Sequence, residues 1–245
     1  ILIESKLKVT LQELRLIYWL LSNIQPDDED FKTYRISVNQ YSKFMSQFKD
    51  YKNKNVYSNL RVAAKKLMRQ IITIKADGGE YDIPFISSAF YEDGKGYIDI
   101  KIHDVLKIHL LKLTKEFTSI GLISAFKLSS TYSIKLLEIV LQYKPIGKRK
   151  LDIADLKFIL GVDNDKYKLW YDFEKRVLAP ACKDINENTD ISLSYEKIKH
   201  VRSIVAIEFR FSISKGKDNN LGLPNNTLTL SDMSSAIEEI SEISS

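Results

Sequence analysis

Apolar residues along this chain recur first at helical spacing and then in alternation, and the change of period happens twice. Thr10-Leu11-Gln12-Glu13 has the form of a capping box, with Thr at the N-cap and Glu at N3, each placed to satisfy the other's backbone amide. Leu14, Ile17, Tyr18 and Leu21 follow at helical spacing, predicting a helix that ends in the acidic loop Asp27-Asp28-Glu29-Asp30. Ser37-Val38-Asn39-Gln40 reads as a second capping box, opening a helix with Tyr41, Phe44, Met45 and Phe48 inward. After a polar, basic turn from Lys49 to Asn55, a third helix is expected from Val56 to Gln70, with Leu60, Ala64, Leu67 and Ile71 as its buried stripe. The period then changes. Ile72-Thr73-Ile74, the turn Asp77-Gly78-Gly79, a strand from Tyr81 to Tyr91, the turn Asp93-Gly94-Lys95-Gly96 and Tyr97 to Ile102 predict a β-hairpin.

A connecting helix from Asp104 to Leu113 leads into a second pass of the same plan. One long helix is expected from Leu122 to Tyr143, stopped by Lys144-Pro145-Ile146-Gly147. Asp152 would cap a short helix carrying Leu156, Phe158, Ile159 and Leu160 and closed by Gly161. A longer helix from Asp165 to Asn186 would bury Leu169, Trp170, Phe173, Val177, Ala181 and Ile185. Ile191, Leu193 and Tyr195 then alternate with polar residues, as do Val205, Ile207, Phe209, Phe211 and Ile213 on the return strand. Three helices followed by a hairpin, twice over, is an α+β chain of two tandem winged-helix domains, three-helix cores with β-hairpin wings. The expected units are residues 1–116, 117–214 and a flexible acidic C-terminal tail, 215–245, in which Met233, Ile237 and Ile240 outline a short amphipathic helix. The repeat lies in element order, not in residue identity. Phe117, Phe126, Tyr132, Phe158, Trp170 and Phe173 read as core, and Cys182 as a buried small residue.

Charge adds direction to this plan. The 245 residues carry 37 Lys+Arg against 32 Asp+Glu, a net charge of +5. Gly216 to Ser245 holds one base and five acids, leaving the body at +9. A basic body suits a polyanionic partner such as nucleic acid. A single cysteine excludes an internal disulfide framework and a Cys-rich zinc site, and fits a reducing cytoplasm. The apolar runs are too short to span a bilayer, and no basic–apolar–small leader pattern opens the chain.

The basic residues cluster where a winged helix would meet DNA. On the third helix of the second domain, Lys166, Lys168, Tyr171, Lys175 and Arg176 fall around the apolar stripe, with Lys175 or Arg176 placed to reach guanine edges. The hairpin tip adds Lys197, Lys199, His200 and Arg202, where a wing meets backbone or minor groove. In the first domain, Lys52, Lys54, Asn55, Tyr57, Ser58, Arg61 and Lys65 cluster on and before the third helix. The same residues also describe solvated helix and turn charges, some of them paired with Asp172 or Glu174.

Several runs resemble the Rep_3-type, iteron-binding plasmid replication initiators. They are Thr10 to Leu16, Lys112 to Thr118 with Leu128 to Glu138, Leu151 to Gly161, Val177 to Asn186 and Ile207 to Phe211. The resemblance spans Val9 to Ser214. It implies binding of double-stranded origin DNA at direct repeats as a monomer. It also implies a homodimer, formed through the N-terminal domain, that represses the protein's own gene, and partnership with host replication proteins (helicase and initiator). Endonucleolytic initiators use a His-x-His metal pair, which His103, His109 and His200 do not form. Gly147-Lys148 lacks both the upstream Gly and the following Ser or Thr of a phosphate loop. Asp152 and Asp155 suit a helix N-terminus. No enzyme activity, metal or cofactor is therefore expected. A tandem winged-helix transcription regulator without a replication role, or a protein-interaction module, would share the same pattern.

Overall fold

A computed structural model describes residues 8–24, 33–48, 51, 55–76, 78–92, 94–106, 110, 119–163 and 165–214. The acidic loop 27–30, Lys52 and Lys54, most of the connecting helix, Phe117 and the C-terminal tail with its expected short helix lie outside these residues.

Helix α1 (Leu11–Ser22) starts at the capping box: Thr10 Oγ1 accepts from the Glu13 amide at 3.4 Å, and Glu13 Oε2 accepts from the Thr10 amide at 3.0 Å. Strand β1 (Tyr34–Ser37) runs directly into α2 (Val38–Met45), where Ser37 caps the Gln40 amide, the first half of the expected box. Helix α3 (Val56–Arg69) buries Leu60, Ala63, Ala64 and Leu67. Ile71, expected on that stripe, instead opens β2 (Ile71–Ala76) and is exposed, because Gln70 has already turned to extended backbone.

Three further strands complete the first domain: β3 (Gly79–Pro84), β4 (Ile86–Tyr91) and β5 (Tyr97–Ile102). The expected single strand from Tyr81 to Tyr91 is thus broken at Phe85, which is buried while its carbonyl accepts from the His103 amide. β2 pairs only with β3, and a separate sheet has the order β1-β5-β4. Arg35 of β1 grips its register partner Asp99 through two hydrogen bonds of 2.8 Å and stacks 4.0 Å over Tyr97.

The expected long helix from Leu122 to Tyr143 is two helices, α4 (Ser119–Lys127) and α5 (Thr131–Gln142). The break falls at Leu128-Ser129-Ser130, where Ser130 caps the Ser133 amide and Asp184 holds the Ser129 amide and hydroxyl. β6 (Lys148–Asp152) leads into α6 (Ile153–Ile159). Asp152 occupies the N-cap but makes no side-chain cap bond. The last helix starts later than expected, as α7 (Trp170–Phe173), continues as a π-helical segment (Glu174–Leu178) and ends as α8 (Ala179–Asn188). Pro180 has no amide to continue the α ladder, and the Ala179 amide reaches back to the Glu174 carbonyl instead. β7 (Ile191–His200) and β8 (Ser203–Ile213) close the chain with sheet order β6-β8-β7.

Both domains therefore share one topology. In each, a short strand before the second helix pairs with the last strand, which lies in the middle of the sheet. The β2–β3 hairpin is an insertion found in the first domain. The core of that domain is aromatic: Trp19, Tyr41, Phe44 and Phe48 meet edge to face, and Phe126 of α4 packs 4.9 Å from Phe44. Phe173 and Ile185 are fully buried, and Cys182 is buried with its thiol pushed up to about 12 by burial. Phe158 and Leu169, expected inward, are 48% and 68% exposed. Phe158 lies on the outer face of a seven-residue helix, and Leu169 precedes the first helical turn.

Candidate nucleic-acid interface

In the second domain the late start of the third helix moves Lys166 and Lys168 into the loop that leads to it. That loop turns at Tyr167, whose φ of 51° is left-handed and whose carbonyl accepts a 2.8 Å bond from Lys157 Nζ. The turn and the first helical residues enclose an open hollow of about 330 Å3, lined by Lys166, Tyr167, Lys168, Leu169, Asp172 and Arg176. Three cations face one carboxylate there. Arg176 stands 3.8 Å from Asp172, and Lys166 stands 3.8 Å from Asp163, both at exposed positions where such pairs hold weakly. Next to the hollow, Lys175 Nζ donates to the Tyr171 hydroxyl at 3.3 Å and lies 5.4 Å from the centre of its ring. Tyr171 itself is 64% exposed. Cations, an exposed tyrosine and an exposed leucine thus share the leading end of this helix.

Glu174, the first residue of the π-helical segment, ties the helix to the wing. Its carboxylate accepts from Trp170 Nε1 at 2.8 Å, the Tyr195 hydroxyl at 2.8 Å and Lys197 Nζ at 2.7 Å. Burial pushes the Glu174 carboxyl up, but the bonds from Lys197, Tyr195 and Trp170 outweigh it and hold the group below its ordinary range. Lys197 also lies 5.7 Å from the Trp170 ring. Its ammonium is committed to the protein, whereas Lys199, His200 and Arg202 stand exposed around the wing tip.

In the first domain, Asn55 sits at the N-cap of α3 and is exposed, as are Ser58 and Lys65. Tyr57 is half-buried, and Arg61 is half-buried with its guanidinium 4.9 Å over the Tyr91 ring of β4. Sequence reasoning passed over Val62 and Arg69, both exposed. With Asn55, Ser58 and Lys65 they form one helical row at three- and four-residue spacing, the signal that identifies them.

The two domains meet through polar contacts that the sequence did not announce. Tyr18 of α1 donates to Glu138 of α5, and Arg15 donates to the Leu128 carbonyl at 3.2 Å. Lys8 pairs with Asp163 at 2.6 Å. Burial lifts the Glu138 carboxyl to about 7, against the Tyr18 hydrogen bond and the attraction of Lys135. Among the described residues no helix is long and apolar enough to cross a membrane.

Comparison with known proteins adds the following. The solved structure described as "Crystal structure of Pi initiator protein in complex with iteron DNA" is 21% identical, with a TM-score of 0.72 over 88% of this chain and 95% of that one. At that identity the likeness concerns the fold. An uncharacterized 27.6 kDa protein of Escherichia coli is 22% identical over 185 residues, which is 72% of this chain and 76% of that protein. Residues 1–141 match the family model described as "Initiator Replication protein, WH1", and residues 152–211 match "Initiator Rep protein, WH2". With more than half of its length inside the first match alone and a winged helix in each, the chain belongs to the Rep_3 family of replication initiator proteins.

Proposed function

We propose that this initiator binds direct repeats, the iterons of a plasmid origin, through both winged helices, without enzymatic activity of its own. The observation that carries this reading is the doubled topology with an exposed basic face on each third helix. In the second domain that face comprises Lys166, Lys168, Tyr171, Lys175 and Arg176, backed by the wing cations Lys199, His200 and Arg202. In the first it comprises Asn55, Ser58, Lys65 and Arg69, with Arg61 and Tyr57 behind them. The protein of similar fold named above is held on iteron DNA. Two third helices on one chain suit two successive major grooves, with lysines on phosphates and arginine on base edges. The same surfaces would serve autorepression by a homodimer formed through the N-terminal domain, and origin-bound copies would recruit the host's helicase and initiator. The setting is cytoplasmic and plasmid-associated.

The test is a gel shift with DNA from beside the gene, repeated from low to physiological salt. Preference for the repeat over a scrambled repeat by about a thousandfold or more is expected, along with a steep fall in affinity as salt rises. Equal binding to both DNAs, indifferent to salt, would move the reading to a protein-interaction module.

A further inference from the structure

The wing of the second domain ends in a residue that its own backbone disfavours. β7 and β8 pair as far as His200↔Ser203, leaving Val201 and Arg202 as a two-residue loop. Val201 has φ of 56°, while Arg202 does not enter the left-handed region. A two-residue hairpin loop with positive φ at its first position favours glycine there, and a β-branched side chain in that region is an outlier. Elsewhere among the described residues positive φ is taken by five glycines and by Tyr167. Tyr167 is half-buried, with its carbonyl held by Lys157. Val201 is 85% exposed. No packing within the fold repays its strain.

Its position points to what does. Lys197, bound to Glu174, fixes β7 against the third helix, and the tip lies four residues further on, about 13 Å beyond that anchor. A register shift between Ile198 and Lys199 re-aims the last stretch of the hairpin. Around the tip, Lys199, His200 and Arg202 are all exposed, so one apolar branch stands among three polar or cationic side chains. The minor groove of DNA is complementary to that arrangement. It is about 6 Å wide, its walls are deoxyribose, and phosphates line both rims. We propose that Val201 is the minor-groove contact of this wing, its methyls against sugar walls and base edges, with Lys199 and Arg202 on the flanking phosphates. This rests on the second domain binding DNA as described above.

Val201→Asn and Val201→Ile, compared with wild type in the full chain, test it by thermal melting and by titration with repeat and scrambled-repeat DNA. Asn accepts the left-handed conformation, so Val201→Asn is expected to melt about 2–6 °C higher. It is also expected to bind the repeat about tenfold more weakly with an unchanged salt slope. Val201→Ile keeps the apolar branch and the strain, and is expected to match wild type in both measurements. An Asn variant that binds as tightly as wild type, one that melts lower, or an Ile variant that loses as much affinity as Asn overturns the proposal and leaves the DNA reading standing. A wild-type chain that fails to prefer the repeat overturns both.

Discussion

Lys175 and Arg176 are neighbours in sequence but have different surroundings. Lys175 rests on the Tyr171 ring, and Arg176 lines the hollow opposite Asp172. Arg176→Ala is therefore expected to narrow the gap between repeat and altered repeat by about tenfold, by losing a base contact. Lys175→Ala is expected to weaken binding to all sequences alike and to lower the salt slope by about one. Competition titrations at several salt concentrations separate the two, and equal behaviour of the variants contradicts the assignment. This level was partly legible in the sequence: the basic positions of the last helix are visible as exposed cations between apolar ones. Which cations are committed elsewhere was not legible. Lys197 finds Glu174 23 residues away, and Arg61 finds Tyr91 only after β4 has folded beside α3. Leu169 fits the periodic stripe of a helix, and only the turn at Tyr167 shows that the helix has not yet begun.

At the scale of elements, the functional unit of the second domain is the third helix together with its wing, and Glu174 is the positioning residue that holds them. Three donors converge on its carboxylate, so Glu174→Ala is expected to destabilise the domain by about 1–3 kcal/mol. Amide exchange along β7 near Lys197 should speed up while the helical content stays unchanged. Exchange confined to wild-type rates would contradict a coupling role. The sequence showed both hairpins of the wings and the order of helices, because their periods extend over many residues. It hid β1 and β6, which are four and five residues long and whose last residue doubles as the N-cap of the next helix. It also hid the break at Leu128, because Ser129 and Ser130 do not interrupt the apolar spacing and their hydrogen bonds to Ser133 and Asp184 are tertiary facts.

Across the whole molecule, α1 belongs to one winged helix and reaches the other through Tyr18, Arg15 and the packing of Phe126 against Tyr18 and Phe44. Glu138 makes that junction sensitive to pH. Its carboxyl titrates at about 7 in the folded chain and near the ordinary carboxylate value when unfolded, so the folded state binds the proton more tightly. The resulting stability is complete at acid pH below the unfolded value and is lost as pH rises through about 7. Melting temperature is expected to fall between about pH 5 and pH 8, and Glu138→Gln is expected to flatten that slope; an unchanged slope in the variant contradicts the assignment. The doubled architecture leads to the most direct measurement, hydroxyl-radical footprinting of the monomer on a single origin repeat at ~0.15 M salt. Two protected windows on one face of the duplex, centred about 10 base pairs apart, are predicted for two third helices in successive major grooves. Protection confined to one window, or spread evenly without regard to sequence, would contradict recognition by both domains.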